Sequence, residues 1–229
     1  MAIKTLAELL PDQYDDAEFR TTFARIALQE VDRIDNLVRR LRGLKTSATI
    51  QMQPLNIVTP LESTLELLSG ELQKRYIEVT RQYEPSLPQI IGSADQLKQV
   101  FLNICLNSAE AMGQSGDLTI TVGVDPDGEQ SEVVMTFADT GPGIDEDVIE
   151  TIFEAFVTSK NDGSGLGMAI CKDIVGLHRG TICAANRSDG SGAIFTIRLP
   201  VYQGDSQYES LASDHGLTPA THAVSEFAG

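Results

Sequence analysis

Residues Asp95–Met112 read DQLKQVFLNICLNSAEAM. Apolar residues recur along a broad face of this segment and predict a helix over 94–112: Leu97, Val100, Phe101, Ile104, Cys105 and Ala111. Asn103 and Asn107 are four residues apart, so their side chains lie on the same face of that helix. A carboxamide oxygen is a neutral, hard ligand of the kind that Mg²⁺ takes beside phosphate oxygens and water. Taken alone, the pair fits hydrogen bonding on a helix surface better.

A second stretch, Asp139-Thr-Gly141-Pro-Gly143, follows directly on the predicted strand that ends at Ala138. An ionised carboxylate only accepts hydrogen bonds. At the end of a strand it can accept one from the exocyclic amine of adenine, whereas guanine has a carbonyl at that position. Gly141 and Gly143 would let the backbone turn beneath a flat ring. The alternative is a plain turn with no ligand.

Glycines also open the helix predicted over 163–177, in the order Gly163-Ser164-Gly165-Leu166-Gly167. Backbone N–H groups at such a helix start attract anions. The spacing matches neither the phosphate loop of P-loop NTPases nor the dinucleotide-binding fingerprint. Just upstream, Phe153 and Phe156 are predicted to anchor a loop from which Lys160 reaches phosphate as a point charge. The alternatives are a flexible turn, and two core phenylalanines beside a solvated lysine.

Strand signals come in consecutive runs, separate from the helices. Alternation predicts strand pairs at 118–124 with 132–137 and at 181–185 with 193–199, each across a turn that contains Asp-Gly. A helix is predicted to open at Thr59-Pro60, as N-cap and first-turn proline, and to end near Arg75. We therefore predict an α+β fold, a two-layer sandwich of a mixed β-sheet with helices on one face.

The N-terminal region has a different pattern. Residues 16–45 show heptad-like apolar spacing, and 2–10 form a shorter apolar helix that ends at Pro11. These two helices make half of a bundle, so pairing with a second copy is the natural completion. We expect three regions: a helical hairpin at 1–48, a catalytic domain at 49–201 and a disordered acidic tail at 202–229.

Composition excludes several classes of function. The chain has 229 residues with 17 basic and 33 acidic side chains, a formal net charge of −16. Such a field repels phosphate backbones, so we expect no nucleic-acid partner. No apolar run approaches the ~20 residues of a membrane span, and we expect no membrane contact by this segment. Three cysteines, none in a C-x-x-C pair, predict reduced thiols in the core of a cytosolic protein.

The four ordered segments together resemble the ATP-binding domain of sensor histidine kinases, within the Bergerat-type ATPase superfamily. They are the asparagine box at Asp95–Met112, the first glycine box at Asp139–Ile144, the phenylalanine box at Ile152–Lys160 and the second glycine box at Gly163–Ile170. The resemblance runs from about residue 50 to Pro200. The form Asn-Ser-Ala-Glu-Ala-Met and a very short lid look most like the nitrogen-regulation subclass.

The resemblance implies roles for individual residues. Asn107 would bind Mg²⁺, Asn103 would lie on the phosphate side of the nucleotide, and Asp139 would bind adenine beside Gly141 and Gly143. The residues implied to cover the phosphates of ATP as a lid are Lys160, Gly163, Ser164, Gly165, Leu166 and Gly167. Asn103 and Lys160 are thus the implied catalytic residues. Relatives that hydrolyse ATP have glutamate in place of Asn103, and an amide cannot take a proton from water, so phosphoryl transfer is favoured.

The implied protein is an ATP-dependent histidine kinase that passes the phosphoryl group to an aspartate of a response-regulator receiver domain. It would be a homodimer through its helical stem, in the cytoplasm or as the cytosolic portion of a larger, membrane-attached sensor. One feature departs from the family: the stem lacks the acceptor histidine, since the only histidines are His178, His215 and His222. The segment alone would then be inactive for lack of that acceptor.

Two explanations of the missing histidine stay open. In the first, the chain is the C-terminal piece of a longer kinase, and the piece begins just after the acceptor motif. In the second, the chain is a natural variant that lacks autophosphorylation. A non-catalytic ATP-binding and dimerisation module is the alternative function. A serine kinase of the anti-sigma type ranks lower, because that group typically has glutamate in place of Asn103 and lacks the stem.

Overall fold

The computed structural model describes Asp16, Phe19 and residues 21–23, 51–125, 131–158 and 165–204. The chain divides into two compact units, Met1–Ser47 and Ala48–Gly229. In the first unit, Phe19 and residues 21–23 are helical, and Asp16 Oδ1 accepts a hydrogen bond from the Phe19 N–H (3.2 Å). The remaining predictions for the stem, and those for 205–229, lie outside the described residues. No helix in the described part is long and apolar enough to cross a membrane.

The described part of the second unit contains seven strands and four helices. In chain order they are β1 Gln53–Leu55, α1 Val58–Lys74, β2 Ile77–Tyr83, β3 Ile90–Gly92, α2 Ala94–Met112, β4 Gly116–Asp125, β5 Glu132–Asp139, α3 Glu146–Ile149, α4 Gly167–Leu177, β6 Thr181–Asn186 and β7 Ala193–Pro200.

Five strands form one mixed sheet in the order β2-β4-β5-β7-β6. β2 runs parallel to β4, and the other three pairings are antiparallel. β1 and β3 form a separate antiparallel pair, beside which Val201 bridges Ile90. Because β7 lies between β5 and β6, the C-terminal ends of β5 and β6 and the start of β7 meet at one end of the sheet.

The core lies between the sheet and the helices α1, α2 and α4. Alternate residues of the central strands point into it, as Leu118, Ile120 and Val122 of β4 do, while their neighbours face away. The rings of Phe101 on α2 and Phe137 on β5 meet across this layer, with centroids 5.9 Å apart. The predicted α+β sandwich, with helices on one face of a mixed sheet, is confirmed.

Most element boundaries agree with the predictions to within two residues, and α2 agrees at both ends. The cap of α1 is an exception. The helix begins at Val58, whose N–H donates to Asn56 Oδ1 (2.9 Å), so Asn56 caps it and Thr59 already lies inside it. α4 begins at Gly167 and not at Gly163, because Gly165 has φ +65° and cannot belong to a right-handed helix.

One further expectation was wrong. Only Cys105 and Cys171 are buried in the core, since Cys183 is exposed on β6. Next to the predicted boundary at residue 201, the Tyr202 N–H donates to the Gln89 carbonyl (2.8 Å). The Tyr202 side chain packs against the small cluster of Met52 and Ile91.

Candidate functional site

Asp139 ends β5 and is the one carboxylate among the described residues that is buried, with 1% of its surface exposed. Its Oδ1 accepts hydrogen bonds from the Gly141 N–H (2.9 Å) and the Ala193 N–H (3.1 Å). Among the described residues no donor bonds to Oδ2. The backbone therefore fixes the carboxylate through one oxygen and leaves the other to accept a hydrogen bond from a ligand.

Two residues that the sequence analysis did not identify enclose Asp139. Gly192, with φ +132°, lies so close that a Cβ there would overlap the Asp139 carbonyl oxygen. Arg187 donates from Nη1 to the same oxygen (3.4 Å) and forms a bidentate ion pair with Asp189. This pair raises the pKa of Arg187 and lowers that of Asp189. The Gly-Ser-Gly run ahead of β7 was the available signal for Gly192.

The chain after Asp139 is held at two further points. Thr140 Oγ1 accepts a hydrogen bond from the Asp117 N–H (2.9 Å), which joins it to the start of β4. Asn186, the last residue of β6, forms two hydrogen bonds with the backbone of Ile144. Gly143 has φ +89°, and a Cβ there would lie 2.8 Å from Asn186 Oδ1. The space that Gly143 leaves is therefore filled by a protein side chain, in addition to any role beneath a ring.

Asn103 lies on α2 opposite the first residue of α4. Its Nδ2 donates to the Gly167 carbonyl (3.2 Å), and a Cβ on Gly167 would be 3.9 Å from Asn103 Cγ. Asn107 follows one turn later on the same face of α2, and both asparagines are half-buried. The structure thus brings Asn103 to the N-terminus of α4, where backbone N–H groups attract anions.

Gly165 and Leu166 precede α4, and Gly165 packs on the backbone of Phe156. The Phe156 N–H donates to the Gly165 carbonyl (2.9 Å), and a Cβ on Gly165 would lie 2.5 Å from the Phe156 carbonyl carbon. This contact closes the base of the loop between them. Lys160, Gly163 and Ser164 lie outside the described residues.

The predicted anchoring of this loop by two aromatic side chains is half right. Phe153 packs against the core, whereas Phe156 is 76% exposed. Phe156 has φ +70°, and the backbone of this loop is held by the contact with Gly165 instead.

His178 is buried at the end of α4 and uses both ring nitrogens. Nε2 accepts a hydrogen bond from the Ser93 N–H (3.0 Å), so Nδ1 carries the proton and donates to the Ile174 carbonyl (2.7 Å). Its surface is 2% exposed. The side chain joins α4 to the start of α2 and has no nitrogen left to react.

The donor set is suited to a cation that takes few protein ligands. No group of three or more His, Cys, Asp or Glu residues in the described part of the chain could hold a metal ion. Amide oxygens from Asn103 and Asn107 are neutral and hard, which fits Mg²⁺ bound mainly by the phosphates of a ligand and by water.

Comparison with known proteins identifies related sequences. Residues 92–203 match the family of histidine kinase-, DNA gyrase B-, and HSP90-like ATPases. The sensor histidine kinase ZraS of Salmonella typhi is 34% identical over 200 residues, covering 87% of this chain and 42% of ZraS. The sensory histidine kinase/phosphatase NtrB of Rhizobium meliloti (strain 1021) is 32% identical over 214 residues, covering 88% of this chain and 55% of NtrB.

A solved structure shares the fold. Full-length ShkA in complex with AMPPNP superposes with a TM-score of 0.64 at 26% identity, over 82% of this chain and 40% of ShkA. The chain spans about half the length of the curated relatives that it matches. By sequence, fold and the arrangement of its boxes, the chain contains an ATP-binding catalytic domain of the sensor histidine kinase family, related to that of NtrB.

Proposed function

We propose that this chain binds Mg·ATP and transfers the γ-phosphoryl group to a histidine outside this segment. The observation that carries the proposal is the buried carboxylate of Asp139, held through Oδ1 by two backbone N–H groups. A carboxylate fixed in this way costs free energy unless its second oxygen also has a partner, and the exocyclic amine of adenine provides one. ShkA, which shares the fold, is bound to the ATP analogue AMPPNP.

Each residue of the site has a defined task in this proposal. Asp139 selects the base, and the turn around Gly141 and Gly143 accommodates it. Asn103 lies on the phosphate side and orients the start of α4 through Gly167. Gly165, Leu166 and Gly167, with Lys160, Gly163 and Ser164, form the lid over the phosphates.

Asn107 would hold Mg²⁺, which when bound neutralises charge on the phosphate oxygens. The acceptor imidazole nitrogen forms a bond to the γ-phosphorus as the bond to the β–γ bridging oxygen breaks, and ADP leaves. Asn103 carries an amide, which has no basic site to activate water, so transfer is favoured over hydrolysis.

The test uses the full chain, a separate fragment that carries an acceptor-histidine hairpin, Mg²⁺ and labelled ATP. Rapid labelling of the fragment that is lost in acid but stable in base indicates phosphohistidine and supports the proposal. Asp139→Asn serves as the negative control. If the wild-type chain binds ATP and labels no acceptor hairpin, the kinase proposal is wrong.

The second candidate function is an ATP-binding, non-catalytic dimerisation module that regulates a signalling partner. The absence of a histidine from residues 1–48 favours it, because this stem would then supply no acceptor of its own. Nucleotide would then act as a conformational ligand. Labelling of an acceptor hairpin excludes this reading.

The wider assignments rest on the family. We propose that residues 1–48 form a partial dimerisation hairpin, that 49–201 form the catalytic domain and that 202–229 form an acidic tail. We also propose that the phosphoryl group passes to a response-regulator receiver domain, and that the chain works as a homodimer in the cytoplasm. Sedimentation of the full chain tests the dimer.

A further inference from the structure

Asn186 lies at the end of β6, outside the four boxes, and contacts the loop that follows Asp139. Its Oδ1 accepts a hydrogen bond from the Ile144 N–H (2.7 Å), and its Nδ2 donates to the Ile144 carbonyl (2.7 Å). Flipping the amide would break both bonds, so this orientation is fixed by the contact itself.

The same residue is also connected to Asp139. In the sheet, Asn186 pairs with Ala193, the residue whose N–H donates to Asp139 Oδ1 (3.1 Å). Asn186 therefore joins both ends of the segment 139–144: Ile144 through its side chain, and Asp139 through its ladder partner.

The segment between these two ends needs such a restraint. It contains Gly141 and Gly143, and glycine loses more conformational entropy on ordering than any other residue. Gly143 adopts φ +89° and leaves the space into which Asn186 Oδ1 fits. A loop ordered before the ligand arrives does not have to be ordered by it, which raises affinity.

We infer that Asn186 is a positioning residue for the base-binding loop, acting through Ile144 on the presentation of Asp139. This inference rests on the proposed nucleotide site. Because Asn186 contacts the loop at the adenine end, loss of its side chain weakens the binding of ADP and the binding of ATP by the same factor. A change at the phosphate end would weaken the binding of ADP and of ATP by different factors.

The test compares Asn186→Ala with Asn56→Ala in the full chain. Asn56 is a matched control, because it is also an exposed asparagine that bonds a backbone N–H, that of Val58 (2.9 Å), at the start of α1. Calorimetry with Mg²⁺ and either ADP or AMPPNP gives the dissociation constants, and urea unfolding gives the stability of each variant.

We expect Asn186→Ala to raise the dissociation constants of both nucleotides by the same factor, about fivefold. We expect Asn56→Ala to lose a similar amount of stability and to leave both dissociation constants unchanged. Asn186→Asp keeps the acceptor but places a carboxylate oxygen against the Ile144 carbonyl, so its loss of affinity is at least as large.

Unchanged affinity in Asn186→Ala, or an equal loss in Asn56→Ala, overturns the positioning role and leaves the proposed function intact. A loss of affinity for AMPPNP with unchanged affinity for ADP also overturns the positioning role. If the wild-type chain binds neither nucleotide, the proposed function fails, and this inference fails with it.

Discussion

The side chain of Asn103 donates to the carbonyl of Gly167, 64 residues further along the chain, at 3.2 Å. The bond joins the middle of α2 to the first residue of α4. Because Gly167 starts α4, any shift of Asn103 also moves the backbone that is proposed to face the phosphates.

Asn103→Ala and Asn103→Asp should differ in stability. The alanine variant loses one half-buried hydrogen bond, about 1 kcal/mol. The aspartate variant should be less stable still at neutral pH, because an ionised oxygen would then face the Gly167 carbonyl. Urea unfolding of the wild type and the two variants gives their free energies of unfolding. An aspartate variant as stable as the wild type would show that the contact between Asn103 and Gly167 is absent in solution.

Asp139→Asn should weaken ATP binding about tenfold or more. The amide places an NH₂ group either against the two backbone donors or against the adenine amine, so one donor is left facing another. Asp173→Asn is the control, since it makes the same charge change on the exposed face of α4. Equal affinity in wild type and Asp139→Asn would remove the adenine assignment.

Asn107→Asp should change the metal requirement of phosphoryl transfer. A charged ligand in place of a neutral one binds divalent cations more strongly, so half-maximal activity should move to a lower Mg²⁺ concentration. The measurement is a Mg²⁺ titration of transfer to the acceptor fragment at saturating ATP. An unchanged titration would count against a metal role for Asn107.

Gly192→Ala should be strongly destabilising. The added Cβ would overlap the Asp139 carbonyl oxygen at a residue with φ +132°, and we expect a loss of about 3 kcal/mol or more. Gly190→Ala, two residues earlier, meets nothing within 4 Å and should change stability by less than about 0.5 kcal/mol. Equal stability of the two variants in urea would contradict the close approach.

The buried thiols should make the fold sensitive to alkaline pH. Burial raises the pKa of Cys105 and of Cys171 from 9.0 to about 12, and for Cys171 a hydrogen bond with Asn103 opposes part of the rise. Since the unfolded thiols ionise first, their contribution is fully present below pH 9 and is lost as pH rises towards 12. Urea unfolding at pH 8 and pH 10.5 measures the change.

Alkylation gives an independent check on the same thiols. Cys183 is exposed, so at pH 8 one thiol should react rapidly in the folded chain and all three in denaturant. Rapid reaction of all three thiols in the folded chain would place Cys105 and Cys171 outside the core.

Local patterns were sufficient for most of the fold. The helix over 94–112 and the strand pair of β4 and β5 depend on periodicities of about 3.6 and 2 residues, which act between near neighbours. The cap of α1 was misplaced because asparagine and threonine both suit an N-cap, and in the structure it is Asn56 Oδ1 that accepts from the Val58 N–H.

The amino-acid order by itself determined which segments become helices and strands, and it predicted a nucleotide site at Asn103, Asn107, Asp139 and the glycines. Only the tertiary structure decided which distant groups meet: Asp139 with Ala193, Asn186 with Ile144, and Asn103 with Gly167. The reason is that these partners lie 42 to 64 residues apart, and β7 lying between β5 and β6 brings the first two pairs together. Spacing along the chain carries no information about which strand becomes whose neighbour.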